Sequence, residues 1–146
     1  DASGLVTMYE TEPLQPKDSI ANDGFLWSMG ANLDAVFVGG REEQQAGKSI
    51  IQRYAQGNPQ DRTIQVLDSE ELIVAIAANN DRVAALGTDG TYWILDAISL
   101  KPLKVIKTGR RPQAAVFDGG NLYVTTHSWE GENGAVLMYE GVGNLD

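Results

Sequence analysis

The amino-acid sequence predicts an all-β fold built from a repeated four-stranded antiparallel unit, and three registers of one period predict it. Pro16, Pro59 and Pro102 recur every 43 residues, and Leu14-Gln15-Pro16 is answered two periods later by Leu100-Lys101-Pro102. The stretch Gly4-Leu-Val-Thr-Met-Tyr-Glu10 returns as Gly134-Ala-Val-Leu-Met-Tyr-Glu140, at an offset of 130, almost three periods. Asp34–Gly39, Asp81–Gly87 and Asn121–Thr126 each follow a turn residue with apolar and β-branched residues, at spacings of 47 and 40 that bracket the same period. Self-similarity at a fixed period of this size is the mark of a repeat architecture, in which each unit buries its apolar faces against its neighbours.

The clearest copy shows what one unit contains. Leu72–Ala78 is a continuous apolar run, as expected of a strand covered on both faces. Asn79-Asn80-Asp81 turns the chain into Arg82–Gly87, and Asp89-Gly90 is a tight-hairpin signal leading into Thr91–Asp96. After Ala97–Lys101, Leu103–Lys107 alternates apolar and basic residues, which predicts a strand with one wet face. Four antiparallel strands in about 43 residues is the content of a β-propeller blade. One stretch competes with this reading: Glu42–Ala55 holds good helix formers, with Ile50, Ile51 and Tyr54 at helical spacing. The period instead predicts a polar loop over Arg41–Lys48 and a strand over Ser49–Tyr54.

The register divides the chain into a partial blade at 4–20, full blades at 23–68 and 71–107, and a three-stranded blade at 112–140. The first holds a third strand, Gly4–Glu10, and a fourth, Leu14–Ile20. Thirteen strands, about three and a quarter blades, do not close a ring, because propellers need at least four blades. Bare strand edges invite pairing with other chains. The chain is therefore expected to belong to a larger propeller or to be completed by a protein partner. A symmetric homo-oligomer is disfavoured, because 13 strands do not divide into whole blades.

Composition narrows the function classes. The 146 residues are 42% hydrophobic and 21% charged, with 16 glycines, a formal net charge of −9 and no cysteine. No basic cluster exceeds the pair Arg110-Arg111, which argues against nucleic acid and against anionic lipid as partners. Disulfides and thiolate chemistry are excluded, and no apolar run approaches the roughly 18 residues of a membrane span. The chain starts Asp1-Ala2-Ser3 without a signal-like apolar stretch, as a processed mature protein or a piece of a longer chain would. An extracellular or periplasmic setting is expected, with the cytoplasm left open.

The last unit carries the most specific pattern: Gly109-Arg-Arg-Pro112, Ala114-Ala-Val-Phe-Asp118, Gly120-Asn-Leu-Tyr-Val124 and Ala135-Val-Leu-Met-Tyr139. It resembles the YVTN and NHL repeats, which read roughly G-x-x-P, then G-V-A-V-D, then G-N-L-Y-V-A, then a final apolar strand. Pro112 would stiffen the approach to the innermost strand, Ala114 and Ala115 would fit a crowded axis, and Gly120-Asn121 would form the hairpin turn. Gln113-Ala114 replaces the usual glycine after the proline, and the other units keep just the turns and apolar strands. The resemblance implies a propeller and no particular reaction, since such propellers serve as scaffolds, binding modules and enzymes alike.

Strands of a blade alternate direction, so the loop between its second and third strands shares a face with the connections between blades. Arg41–Lys48 and His127–Asn133 both occupy that position, which predicts one loop-rich face, where function concentrates. The candidate binding residues are Arg41, Arg110, Arg111, His127, Trp129 and Glu130. Arg110 and Arg111 would bind a carboxylate or phosphate; the plain reading is solvated charge. His127, the single histidine, would act as a base or metal ligand, or be merely polar. Trp129 would stack on a sugar or a partner side chain, or pack over the neighbouring blade. Glu130, Glu132 and Asn133 would offer oxygen ligands to Ca²⁺, although their spacing matches no EF-type loop. Trp27 and Trp93 are expected in core or inter-blade packing.

No catalytic triad order, P-loop, dinucleotide fingerprint or zinc-protease motif is present, so no catalytic residue, metal site or cofactor is assigned. The sequence therefore reads first as a non-catalytic scaffold that presents its loop-rich face to a protein partner or neighbouring subunit. Part of a ligand-binding or enzymatic propeller of the YVTN, NHL or quinone-enzyme type is the second reading. A structural subunit of an extracellular assembly is the third.

Overall fold

Short apolar runs punctuated by Gly, Asn and Asp favour strands joined by tight turns, and the computed structural model has that form. It describes residues 4–11, 14–22, 24–42, 47–127 and 133–144. Among these it contains 13 strands, arranged in four antiparallel sheets, and no helix. The first sheet pairs β1 (Gly4–Thr11) with β2 (Leu14–Asn22). The second runs β3 (Phe25–Ala31), β4 (Ala35–Arg41), β5 (Ser49–Ala55), β6 (Asn58–Val66). The third runs β7 (Ile73–Ala78), β8 (Arg82–Gly87), β9 (Thr91–Asp96), β10 (Pro102–Lys107). The fourth holds β11 (Pro112–Asp118), β12 (Asn121–Thr126) and β13 (Val136–Tyr139). Each sheet is a sequential meander, the connectivity of a propeller blade. Where the sequence left a helix open, β5 forms from Ser49 onward; residues 43–46 lie outside the described ones.

The blades stack through their first strands, with β7 lying against both β3 and β11. Each of these inner strands carries a bulge near its start, at Trp27, Val74 and Gln113, where the ladder to the next strand slips by one residue. A bulge increases local twist and re-aims a side chain; here the device recurs near the start of all three inner strands.

Three apolar layers hold the arc together. Phe37, Ile51, Ile73, Ile76, Val83, Ala85, Trp93 and Leu95 fill the space between the second and third sheets. Ala75, Ala84, Leu86, Tyr92 and Ile94 meet Leu122 and Val124 between the third and fourth. Val6 of β1 reaches Val38 and Tyr54. Tyr54 stays satisfied in this setting because its hydroxyl donates to Gln52 Oε1 at 2.9 Å, both residues being buried.

Several local expectations are corrected. Trp93 is buried, but Trp27 is 67% exposed, because it alternates with Phe25 and Met29 on the uncovered face of β3. Strand β10 is exposed along most of its length rather than on one face, since it is the outer edge of its sheet. The β8–β9 hairpin turns through three residues, Thr88-Asp89-Gly90, not two. Gly90 N–H donates to Gly87 O at 3.0 Å, and Gly90 takes φ +86°, the left-handed residue that closes a three-residue loop. In the last sheet Asp118 pairs with Asn121, so the turn is Gly119-Gly120, with φ +59° at Gly119.

The short turns on one face of the arc are stitched from blade to blade. Asn32 Oδ1 accepts the N–H groups of Asp34 and Ala35, and Asn32 Nδ2 donates to Asn79 O at 2.9 Å. One blade on, Asn79 Oδ1 accepts the N–H groups of Asp81 and Arg82, and its Nδ2 reaches Gly143 O at 2.9 Å and Gly119 O at 3.2 Å. One side-chain amide thus caps its own turn and ties it to the next.

Candidate functional site

The opposite face carries the inter-blade connections, and there the third and fourth sheets enclose a cleft of about 200 Å³. One wall is the β8–β9 hairpin with Thr88 and Asp89, the floor is Gly109-Arg110-Arg111, and the other wall is Thr126-His127. Three of the candidate residues, Arg110, Arg111 and His127, are brought together here. They meet because the connection entering one inner strand passes beside the loops of two adjacent blades, one at each flank.

The floor is held by a dense local network. Thr108 donates through both N–H (2.9 Å) and Oγ1 (2.7 Å) to Gly90 O, and Arg110 N–H donates to Thr108 Oγ1 at 3.0 Å. Tyr92 OH donates to Arg110 O at 2.9 Å, and His127 N–H donates to Arg111 O at 3.2 Å. Gly90 lies so close that a Cβ there would sit 2.3 Å from Arg110 N. The Arg110 N–H and the carbonyl oxygens of Arg110 and Arg111 are therefore committed within the protein.

Electrostatics follow from the same geometry. Asp89 turns its carboxylate back on its own hairpin, accepting Thr91 N–H and Thr91 Oγ1–H, each at 3.0 Å. Thr88 Oγ1 donates to Glu71 Oε2. Burial raises the phenol of Tyr92 above its ordinary value, against smaller opposing effects of the Thr108 hydroxyl and the Arg110 charge. Tyr139, edge-on to Tyr92 with ring centroids 5.8 Å apart, is raised by burial and by Tyr92. Both phenols stay neutral across physiological pH. Among the described residues, the guanidinium groups of Arg110 and Arg111 and the imidazole of His127 make no side-chain hydrogen bond or ion pair. A cleft with two such cations and an imidazole suits anion binding.

Other candidates lie elsewhere. Arg41 sits at the end of β4, its guanidinium carbon 5.7 Å from the centroid of the Phe25 ring, and is not a wall of the cleft. Its buried Nε has no hydrogen-bond partner. Trp129 and Glu130 lie outside the described residues, as does Glu132. No group of three or more His, Cys, Asp or Glu side chains is placed to hold a metal among the described residues. Sequence reading missed Thr88, Asp89 and Thr126 as cleft walls: Asp89 was legible as a turn residue, but no local signal says which turn lies beside which connection.

A second hollow, about 270 Å³, runs along the inner strands between Ser28 and Met29 of β3, Val74–Ile76 of β7 and Gln113–Ala115 of β11. Its lining is mostly small or apolar, as a packed propeller axis requires. No helix among the described residues is long and apolar enough to cross a membrane.

No protein-family model and no curated protein sequence matches the chain. Solved structures do match in shape. The chain is similar to HIRA(644-1017) with a TM-score of 0.56 at 13% identity, over 73% of this chain and 33% of that one. It is similar to Myxococcus xanthus glutaminyl cyclase with a TM-score of 0.52 at 13% identity, over 79% of this chain and 50% of that one. The chain thus spans a third to a half of the length of these structures. At such identity the likeness speaks for the fold, and with the four meandering sheets it establishes that the chain has the architecture of a β-propeller arc.

Proposed function

We propose that this chain is a non-catalytic interaction module of a β-propeller, whose end faces receive further blades or a protein partner and whose loop-bearing face is presented to a partner or neighbouring subunit. The observation that carries this reading is the apolar character of both ends. On the outer side of the last sheet, Val116 (59% exposed), Met138 (51%) and Val136 (70%) stand beside Tyr123 and Thr125 in paired register. At the other end, Trp27 and Met29 stand out beside Leu5, lining a hollow of about 160 Å³. The inner sides of the same sheets are buried among aliphatic and aromatic side chains. Contiguous apolar exposure of this kind marks a surface meant to be covered. The repeat pattern over 109–140 supports placing the module with propellers of the YVTN and NHL kind.

Light scattering tests the reading. The chain should give a mass above 15.8 kDa that rises with concentration, and Trp27→Glu combined with Met138→Glu should return it to the monomer. Both side chains are exposed, so the folded far-ultraviolet spectrum should survive. A wild-type chain that stays monomeric at all concentrations and binds no hydrophobic dye overturns the proposal.

A further inference from the structure

We infer that the cleft between the β8–β9 hairpin and the Gly109-Arg110-Arg111 connection is a binding site for a carboxylate. The inference stands on the cleft's own geometry and does not depend on what covers the ends of the arc. Two adjacent arginines and one histidine line a space of about 200 Å³ in a protein of net charge −9. None of the three has a protein counter-ion among the described residues, although acidic side chains outnumber basic ones 20 to 11. Asp89, the carboxylate nearest at hand, is already held by Thr91.

The floor beneath these cations is rigid. Thr108, Tyr92 and Gly90 fix the backbone of Arg110, and the N–H of His127 fixes Arg111. A fixed backbone lowers the entropy lost when the side chains close on a ligand. Guanidinium groups grip the two oxygens of a carboxylate in a paired geometry that an ammonium cannot reproduce. Charge selects among oxyanions. Arg110 and Arg111 against Asp89 leave one positive charge in excess at the cleft, which a monoanionic carboxylate neutralises and a phosphate dianion overshoots. The small volume admits a short free acid or the tip of an acidic side chain, not a large organic ligand.

Nuclear magnetic resonance titration at low ionic strength tests this, with butyrate, inorganic phosphate and a capped Gly-Glu-Gly peptide as probes. Butyrate should shift the amide signals of Thr88, Gly109, Arg111 and His127 while leaving those of Leu86 and Val124 in place. Arg110→Gln with Arg111→Gln should weaken binding at least tenfold, and Arg111→Lys should recover a minor part of it. Arg110 sits close to Tyr92, so the exposed Arg111→Gln is made alone as well; it should weaken binding several-fold with an unchanged spectrum elsewhere. A peptide that binds tenfold tighter than butyrate assigns the carboxylate to a protein side chain, and equal affinity assigns it to a free acid. Shifts that persist in the double variant, shifts elsewhere on the surface, or saturation by phosphate at equal or lower concentration each overturn the inference.

Discussion

The two faces of the arc use the same strand ends in opposite ways. On the turn face, Asn32 and Asn79 spend every polar group of their side chains on the backbone, capping one turn and bonding to the next blade. On the connection face Thr108, Tyr92 and His127 hold the backbone of Arg110 and Arg111, yet the guanidinium groups of these two residues and the His127 imidazole bond to nothing among the described residues. A propeller needs rigidity at both faces but recognition at one. Side-chain donors committed to backbone serve stability, and those left over a rigid floor are free to serve a ligand.

The largest blow to that division should come from Gly90→Ala. The residue would be forced to hold φ +86° with its Cβ 2.3 Å from Arg110 N and 2.7 Å from Gly109 N. Backbone strain and overpacking together should lower stability by roughly 2–5 kcal/mol in urea denaturation. A loss under 1 kcal/mol would mean that the two strands of the floor part easily, and the rigidity ascribed to it would be wrong.

Asn79→Ala comes next. It removes the bonds to Gly119 and Gly143 and leaves the Asp81 and Arg82 N–H groups without their acceptor, which should cost about 1–3 kcal/mol. Asn79→Asp keeps the acceptor and should recover part of the loss. If alanine is neutral, the stitching is decoration.

A smaller effect is expected from acid. Asp96 accepts the N–H groups of Ser99 and Ile98 at the β9–β10 turn, and the Ser99 N–H chiefly holds its carboxyl below the ordinary range; burial opposes this. The charged form is thus preferred by the folded state. Its stabilising contribution is present above the unfolded value, near ~3.9, and is lost as pH falls through the lower folded value. Thermal melts of wild type and Asp96→Asn should therefore converge as pH drops below that range. Parallel curves would remove the turn's carboxylate from the account.

The smallest effect on stability should belong to the cations themselves. Arg111→Ala should change unfolding free energy by no more than about 0.5 kcal/mol, as surface substitutions away from structural features do. A larger loss would show Arg111 to be part of the framework, and the contrast between the faces would collapse.

Much of this architecture was legible beforehand. The apolar run before Asn79, the Asn and Asp turns, and Ser49–Tyr54 in its register all state short strands, because period-two burial and turn chemistry are local properties. What escaped was finer or longer-ranged. Gly90 was read within a two-residue turn because the dipeptide signal cannot count the residues of a bulged hairpin. Trp27 was placed in packing because a tryptophan gives no sign of whether the face it shares with Phe25 and Met29 is covered. Asn79 read as a turn residue, and its second task, reaching Gly143 across 64 positions of sequence, has no local trace.

The sequence by itself determined the repeat and the strand content, since a 43-residue period of short apolar runs between turn residues spells a four-stranded antiparallel unit. Tertiary structure alone decided which loops became neighbours. Stacking one blade on the next sets Arg110 and Arg111 between Asp89 and His127, residues separated by up to 38 positions, and it leaves the apolar ends bare. The physical reason is that a strand's pattern reports which of its faces is buried, while the identity of what buries it is a property of the assembled arc.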